Sequence, residues 1–360
     1  MATKKESKKV EDNHNLVTYT VEQAASFLRS ILKMPSLLAP SQLWIGEVGI
    51  GKTSAIESVV KDMHGDDHLI VRHLSQVHPL DLGGIGIDPA KREMYFAKPP
   101  LVQELEQMPK PRVLFLDEID RVQPIAQSAL LQLLLGKVHN GFPLEDTYVV
   151  GAGNSWYAEY TFELDKAMAS RPAIIHITTN SDDWLKWAAR NGVHSSVLTT
   201  IAMAADVLNQ HGELSEACMK VADPRAWATF STALNAGVDS AHAAAFVGEH
   251  AARIYQRYLS FAKDYHDEIK AVCQGKSLDP AKLEGGETTM FGIYIAAGSQ
   301  VTLAQCEKFL ENSAEQVGHE RTYVIGRLPF NRFGQEMLDN PAVKKLREKL
   351  LAAYKDDVAE

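Results

Sequence analysis

Five short runs of the chain are apolar almost throughout: QLWIG (42–46), HLIVRHLS (68–75), RVLFLDEI (112–119), TYVVGAGN (147–154) and AIIHITT (173–179). A strand with one wet face alternates apolar and polar side chains, whereas a strand covered by helices on both faces does not. The runs therefore read as buried parallel strands, and the helical patterns between them make residues 17–180 a three-layer α/β domain. Ahead of the first run, TVEQAASFLRSIL (20–32) carries its apolar residues at helical spacing and reads as a helix ending before Pro35. From Ser181 the punctuation changes. SDDWLKWAARNG opens on a Ser or Asp cap, SSVLTTIAMAADVLNQHG closes on a glycine, and PRAWATFSTALNAG runs from proline to glycine, all residues that start and stop helices. SAHAAAFVGEHAARIYQRYLSFAKDYHDEIKAV continues the pattern, so an all-α unit is expected over 181–274. QGKSLDPAKLEGGETT (274–289) reads as a linker. A helical extension over 275–360 follows, with helices at TLAQCEKFLENSAEQV and PAVKKLREKLLAAY.

Composition sets limits on this picture. With 360 residues, 45% of them hydrophobic and 23% charged, the chain is long enough for one large or two smaller cores and has the balance of a soluble globular protein. No apolar run approaches the roughly 18–20 residues that span a bilayer, so no membrane partner is expected. The opening MATKKESKKVEDNHN lacks an apolar core segment, and residues 1–16 read as a disordered tail rather than a secretory signal. Cys218, Cys273 and Cys306 are far apart with no C-x-x-C pair, which argues against a disulfide framework or zinc site and fits a reducing cytoplasm. No histidine falls in an H-E-x-x-H arrangement. A net charge of −9 disfavours non-specific binding to nucleic-acid phosphates while leaving a local basic channel open.

The chemistry starts where the first strand ends. GEVGIGKT (46–53) matches G-x-x-x-x-G-K-[ST], with Gly46, Gly51, Lys52 and Thr53 at the fixed positions between a strand and a helix. Glu47, Val48, Gly49, Ile50 and Ser54 complete the loop. The glycines let successive backbone N–H groups curl around phosphates, the next helix aims its positive end at them, and the Lys52 ammonium reaches the terminal phosphates. Thr53 offers a hydroxyl to Mg2+. Further on, VLFLDEID places Asp117 and Glu118 at the end of a buried strand, where carboxylates are costly unless they serve a cation or a reacting water. Asp117 is the expected magnesium residue and Glu118 the base for the attacking water. Asn154, at the end of VVGAGN, suits an amide that orients that water or senses the γ-phosphate, or a turn former. Arg171, just ahead of the fifth strand, suits an arginine that reaches a neighbouring subunit's γ-phosphate, or a surface salt bridge. Arg225 starts a helix, where the dipole opposes a cation unless an anion such as phosphate is near.

These five sites in this order resemble the AAA+ ATPases, and within them the MoxR-like, helix-2-insert branch. HLSQVHPLDLGGIGIDPAKREMYFAKPPL is similar to that branch's D-L-x-G segment and the hairpin after it. LFLDEIDRVQPIAQSALLQLLLGKV is similar to its D-E-I-N-R stretch, and the similarity covers roughly residues 20–235. The resemblance implies that Gly46 to Ser54 are the Walker A loop, Asp117 and Glu118 Walker B, Asn154 sensor 1, Arg171 the arginine finger and Arg225 sensor 2. ATP and Mg2+ are the implied cofactors. Asp120 departs from the Asn of D-E-I-N-R, and SRP from the D-R-F of many finger segments.

The same resemblance implies a P-loop AAA+ core with a parallel sheet, then an all-α lid and a helical C-terminal extension. It implies a homo-oligomeric ring, usually a hexamer, with Arg171 acting in trans and Arg225 acting in cis or in trans. The ring would be a cytoplasmic chaperone that remodels or activates a client, commonly one with a von Willebrand factor A domain. Hairpins within GGIGIDPAKREMYFAKP and GKVHNGFPLEDTYVV are the expected client-gripping tips. Two other readings stay open. One is a nucleic-acid-directed motor or loader, although the first hairpin sets Lys91, Arg92 and Lys98 against Asp88 and Glu93. The other is a slow nucleotide-gated switch or scaffold.

Overall fold

The computed structural model describes residues 17–76, 85–122, 124–154, 172–210 and 220–357. They divide into two compact units, the described residues of Met1–Glu47 with Lys52–Thr178, and those of Val48–Gly51 with Thr179–Glu360.

The first unit is built on a six-stranded parallel sheet. Its spatial order is β1 (Thr18–Tyr19), β10 (Ala173–Ile177), β2 (Gln42–Gly46), β9 (Thr147–Gly153), β6 (Arg112–Asp117) and β3 (Leu69–His73). The five apolar runs are its five longer strands. Every residue of β2 and β9 is buried, as is all of β6 except Asp117. Leu43, Ile45, Leu114, Leu116 and Val149 pack with Leu101, Val102 and Leu105 of α3 (Pro100–Gln107) and Leu130 of α4 (Pro124–Leu131). Trp44, Phe115 and Val150, one position out of phase, are just as buried and face the opposite side. There α1 (Val21–Ile31) packs on β10 and on α2 (Lys52–Met63), and α2 on β3. Helices on both faces explain why the strands show no alternation. A capping box starts α1: Thr20 Oγ1 accepts from the Gln23 N–H at 3.3 Å, and Gln23 Oε1 from the Thr20 N–H at 2.9 Å. Two antiparallel hairpins leave the sheet, β4 (Ile85–Asp88) with β5 (Glu93–Phe96), and β7 (Val138–His139) with β8 (Phe142–Pro143).

The second unit is helical: α5 (Ser181–Arg190), α6 (Ser195–Met203), α7 (Pro224–Asn235), α8 (Ala243–Asp264), α9 (His266–Cys273), α10 (Gly286–Gly298), α11 (Cys306–Val317), α12 (His319–Leu338) and α13 (Pro341–Asp357). Asn180, one residue ahead of the expected Ser or Asp, caps α5. Its Oδ1 accepts from the Asp182 and Asp183 N–H groups at 2.9 and 3.0 Å, the short reach from extended backbone that favours Asn at this position. Asp223 caps α7 through the Ala226 N–H at 2.6 Å, with Pro224 as the first helical residue. Trp227, Phe230, Val247 and Tyr255 centre one core, and Ile293, Tyr294, Phe309 and Leu310 a second. Leu328 of α12 belongs to the first core and Arg327 pairs with Asp182 of α5, so the C-terminal helices share packing with the helices before them.

One cap in this unit titrates. His194 precedes α6, its Nδ1 accepting from the Ser196 N–H at 3.3 Å and lying 2.7 Å from the Ser196 hydroxyl. Burial pushes its pKa below the ordinary imidazole value. A protonated ring has no lone pair at Nδ1 with which to accept. The unfolded chain therefore takes up this proton first, and the stability present above about pH 6.5 is lost as pH falls through that value toward the depressed folded pKa. The melting temperature is expected to drop between about pH 7.5 and about pH 5.5, and to drop less in His194→Asn, which caps without titrating. Equal drops in both proteins would remove His194 as the cause.

Candidate nucleotide-binding site

Parallel strands in register end together, so the residues that follow them gather at one edge of the sheet. The register sets His73 beside Asp117 and Ile45 beside Gly153. Gly46, Asp117 and Gly153 each close a strand, and Asn154 comes next.

Lys52 opens α2 and folds back over the loop before it. Its buried ammonium donates to Gly46 O at 2.8 Å, Glu47 O at 2.7 Å and Asn154 Oδ1 at 3.4 Å. Thr53 Oγ1 donates to Asp117 Oδ2 at 2.9 Å. A hydroxyl beside a carboxylate is the hard oxygen pair that Mg2+ takes while keeping several waters, so Thr53 and Asp117 fit the cation the sequence implies. Bound there, it would offset negative charge on phosphate oxygens. Gly49 (φ 79°) and Gly51 (φ 100°) lie in the left-handed region, which glycine enters at no steric cost. The loop tip Val48–Gly51 belongs to the second unit. Within that unit the Arg225 N–H donates to Gly49 O at 3.1 Å, and a Cβ on Gly49 would lie 2.5 Å from the Asp223 carboxylate carbon. Arg225 is the second residue of α7 and is exposed.

Glu118 follows β6 in a left-handed conformation, φ 57° and ψ 41°, which costs a non-glycine residue roughly 1–3 kcal/mol. Asp117 Oδ1 accepts its N–H at 2.9 Å, and the Ser75 hydroxyl donates to its Oε2. His73 Nδ1 lies 3.6 Å from Asp117 Oδ2, an ion pair when the imidazole is protonated. Asp120, only 2% exposed, accepts the Asn154 N–H on Oδ1 at 2.9 Å and the Asn154 side-chain NH2 on Oδ2 at 3.1 Å.

The structure thus brings together Gly46, Glu47, Lys52, Thr53, Asp117, Glu118 and Asn154. Arg171 lies outside the described residues. Ser75 and His73 escape the sequence reading, and Asp120 enters it only as a departure from a pattern. The clue to the first two was the parallel pairing of 69–73 with 113–117, which sets the end of β3 beside the acidic pair.

The parallel sheet, the lysine that opens α2 and the paired acids have the arrangement of a P-loop domain. Residues 42–179 match the family model described as ATPase family associated with various cellular activities (AAA). This segment is an AAA ATPase-family domain. Replication factor C subunit 2 of Saccharomyces cerevisiae is 32% identical over 114 residues, covering 30% of this chain and 31% of the yeast protein. The match therefore spans less than a third of that relative's length. Among solved structures, a Cytophaga hutchinsonii protein assigned as an ATPase aligns at 14% identity over 92% of this chain and 90% of that one, with a TM-score of 0.34. A mutant of Thermotoga maritima RuvB aligns at 14% identity over 82% and 75%, with a TM-score of 0.35. No helix among the described residues is long and apolar enough to cross a membrane.

Proposed function

We propose that the chain is a magnesium-dependent, MoxR-like ATPase of the cytoplasm. It works as a ring of its own copies, a hexamer, and uses ATP to remodel a partner protein that carries a von Willebrand factor A domain. The observation that carries the ATPase reading is the convergence of Lys52, the Thr53–Asp117 pair, Glu118 and Asn154 at one edge of the sheet. In this reading the loop amides and Lys52 take the triphosphate, Thr53 and Asp117 hold Mg2+, and Glu118 accepts a proton from the attacking water. Arg171 of an adjacent copy neutralises charge on the γ-phosphate, and Arg225 contacts phosphate in cis or in trans. Arg171→Ala subunits are expected to bind ATP without turning it over, and to regain turnover when mixed with Lys52→Ala subunits. No regain would remove action in trans.

A protein client is supported by the β4–β5 hairpin. Met94 is 75% exposed and Tyr95 54%, side chains suited to apolar contact with polypeptide. The hairpin's Lys91 lies 3.7 Å from Asp88, and Lys98 pairs with Glu106. Cations partnered in this way steer only weakly toward phosphate. A nucleic-acid-directed motor or loader is the second reading, favoured by the yeast relative's name as a replication factor. One assay separates them: ATP hydrolysis by the full chain, measured with single-stranded DNA and with a purified von Willebrand factor A-domain partner. Stimulation by the protein and not by DNA is expected; stimulation by DNA alone overturns the chaperone reading.

A further inference from the structure

We infer that Asp120 is a positioning residue that fixes which end of the Asn154 amide meets the reacting groups: the oxygen, and not the NH2. The inference rests on the ATPase reading and narrows it. An amide that presents NH2 donates to a phosphate oxygen and so senses the γ-phosphate. One that presents oxygen accepts instead, from the Lys52 ammonium or from a hydrogen of the attacking water.

The oxygen and nitrogen ends of an asparagine have nearly the same shape, so the partners decide its orientation. Both partners here agree. An ionised carboxylate can only accept, and Asp120 Oδ2 takes the Asn154 NH2 at 3.1 Å while its Oδ1 takes the Asn154 backbone N–H at 2.9 Å. On the other side, an ammonium can only donate, and Lys52 Nζ lies 3.4 Å from Asn154 Oδ1. Reversing the amide would set oxygen against carboxylate and NH2 against ammonium. At 2% exposure of Asp120, water has little access to relieve either mismatch. Gly153 makes room for this arrangement. A Cβ there would stand 3.0 Å from Asp120 Oδ1 and 2.9 Å from Ile119 Cγ2, so a side chain at 153 would push the carboxylate off the amide. An asparagine at 120 whose oxygen takes the Asn154 backbone N–H would turn its NH2 toward the Asn154 side chain and favour the reverse orientation; the carboxylate accepts on both oxygens and holds the observed one.

The test compares wild type, Asp120→Asn, Asn154→Ala, Asn154→Asp and the double exchange Asp120→Asn with Asn154→Asp. The double exchange keeps the wild-type formal charge. Its residue-120 amide can accept the backbone N–H and donate to the residue-154 carboxylate, whose second oxygen faces Lys52. The readouts are kcat and KM for ATP, affinity for a fluorescent ATP analogue, and melting temperature. Asn154→Ala and Asn154→Asp are expected to lower kcat by about a hundredfold or more. The double exchange should return to within about tenfold of wild type. Asp120→Asn alone, its oxygen held by the Asn154 backbone N–H and its NH2 turned toward the Asn154 side chain, should lose kcat severalfold with its KM held within about twofold. A double exchange no more active than Asn154→Ala, or an Asp120→Asn enzyme with wild-type kcat, overturns the inference. The comparison with Asn154→Ala decides the matter even where Asn154→Asp fails to fold. A wild-type chain that neither binds nor hydrolyses ATP would instead defeat the underlying ATPase reading, an outcome distinct from an active wild type with inert substitutions.

Discussion

Lys52→Ala is expected to bind ATP at least about a hundredfold more weakly than wild type. A hydrogen bond from a charged group contributes roughly 1.5–3 kcal/mol, and each 1.4 kcal/mol is tenfold in affinity, so the loss of two phosphate contacts reaches that size. The buried ammonium sits against Gly46 O and Glu47 O, where the backbone has already formed a polar cradle for a compact cation. Arginine does not substitute there, because its planar fork cannot occupy the space of a point charge. Lys52→Arg should therefore bind nearly as poorly as Lys52→Ala. Titration calorimetry with ATP and magnesium reads both, and unchanged affinity in Lys52→Ala would refute the phosphate-loop assignment.

Glu118→Gln separates binding from chemistry. Glutamine keeps the size of the side chain, can still accept from Ser75, and leaves the Glu118 N–H bond to Asp117 Oδ1 available to the backbone. It cannot take a proton. Nucleotide affinity is expected to stay within about threefold while single-turnover hydrolysis falls about a hundredfold or more, the scale of a lost general base. Near-normal turnover would take Glu118 out of the mechanism. The left-handed backbone at this residue gives the same expectation a structural reason, since strain of this kind persists where the surrounding contacts hold a side chain in one direction.

Much of the first unit was legible in the sequence because burial on both faces writes an unbroken apolar run. The edge strand β1 was not, since two residues, Thr18 and Tyr19, are too few to carry a period. In the second unit, α10 is buried over Met290 and from Gly292 to Gly298. A helix covered nearly all round lacks the polar stripe that marks an amphipathic one, and its first turn begins inside the stretch read as a linker. Pro329 and the bend at Gly334 (φ 51°) hide α12, although Ile325, Leu328 and Met337 are buried on it and tertiary packing outweighs local propensity. The site divides in the same way. Gly46 to Thr53 and Asp117–Glu118 are legible because each falls within a short local pattern of fixed spacing. Ser75, His73 and the Asp120–Asn154 contact come from strand register and from packing between distant segments, which no local window contains.

The most direct measurement is a high-resolution structure of the chain with ATP and magnesium. The triphosphate should touch the Lys52 ammonium, with the cation between Thr53 and Asp117. Phosphates bound elsewhere, or Asp117 and Glu118 turned away from them, would contradict this reading of the site.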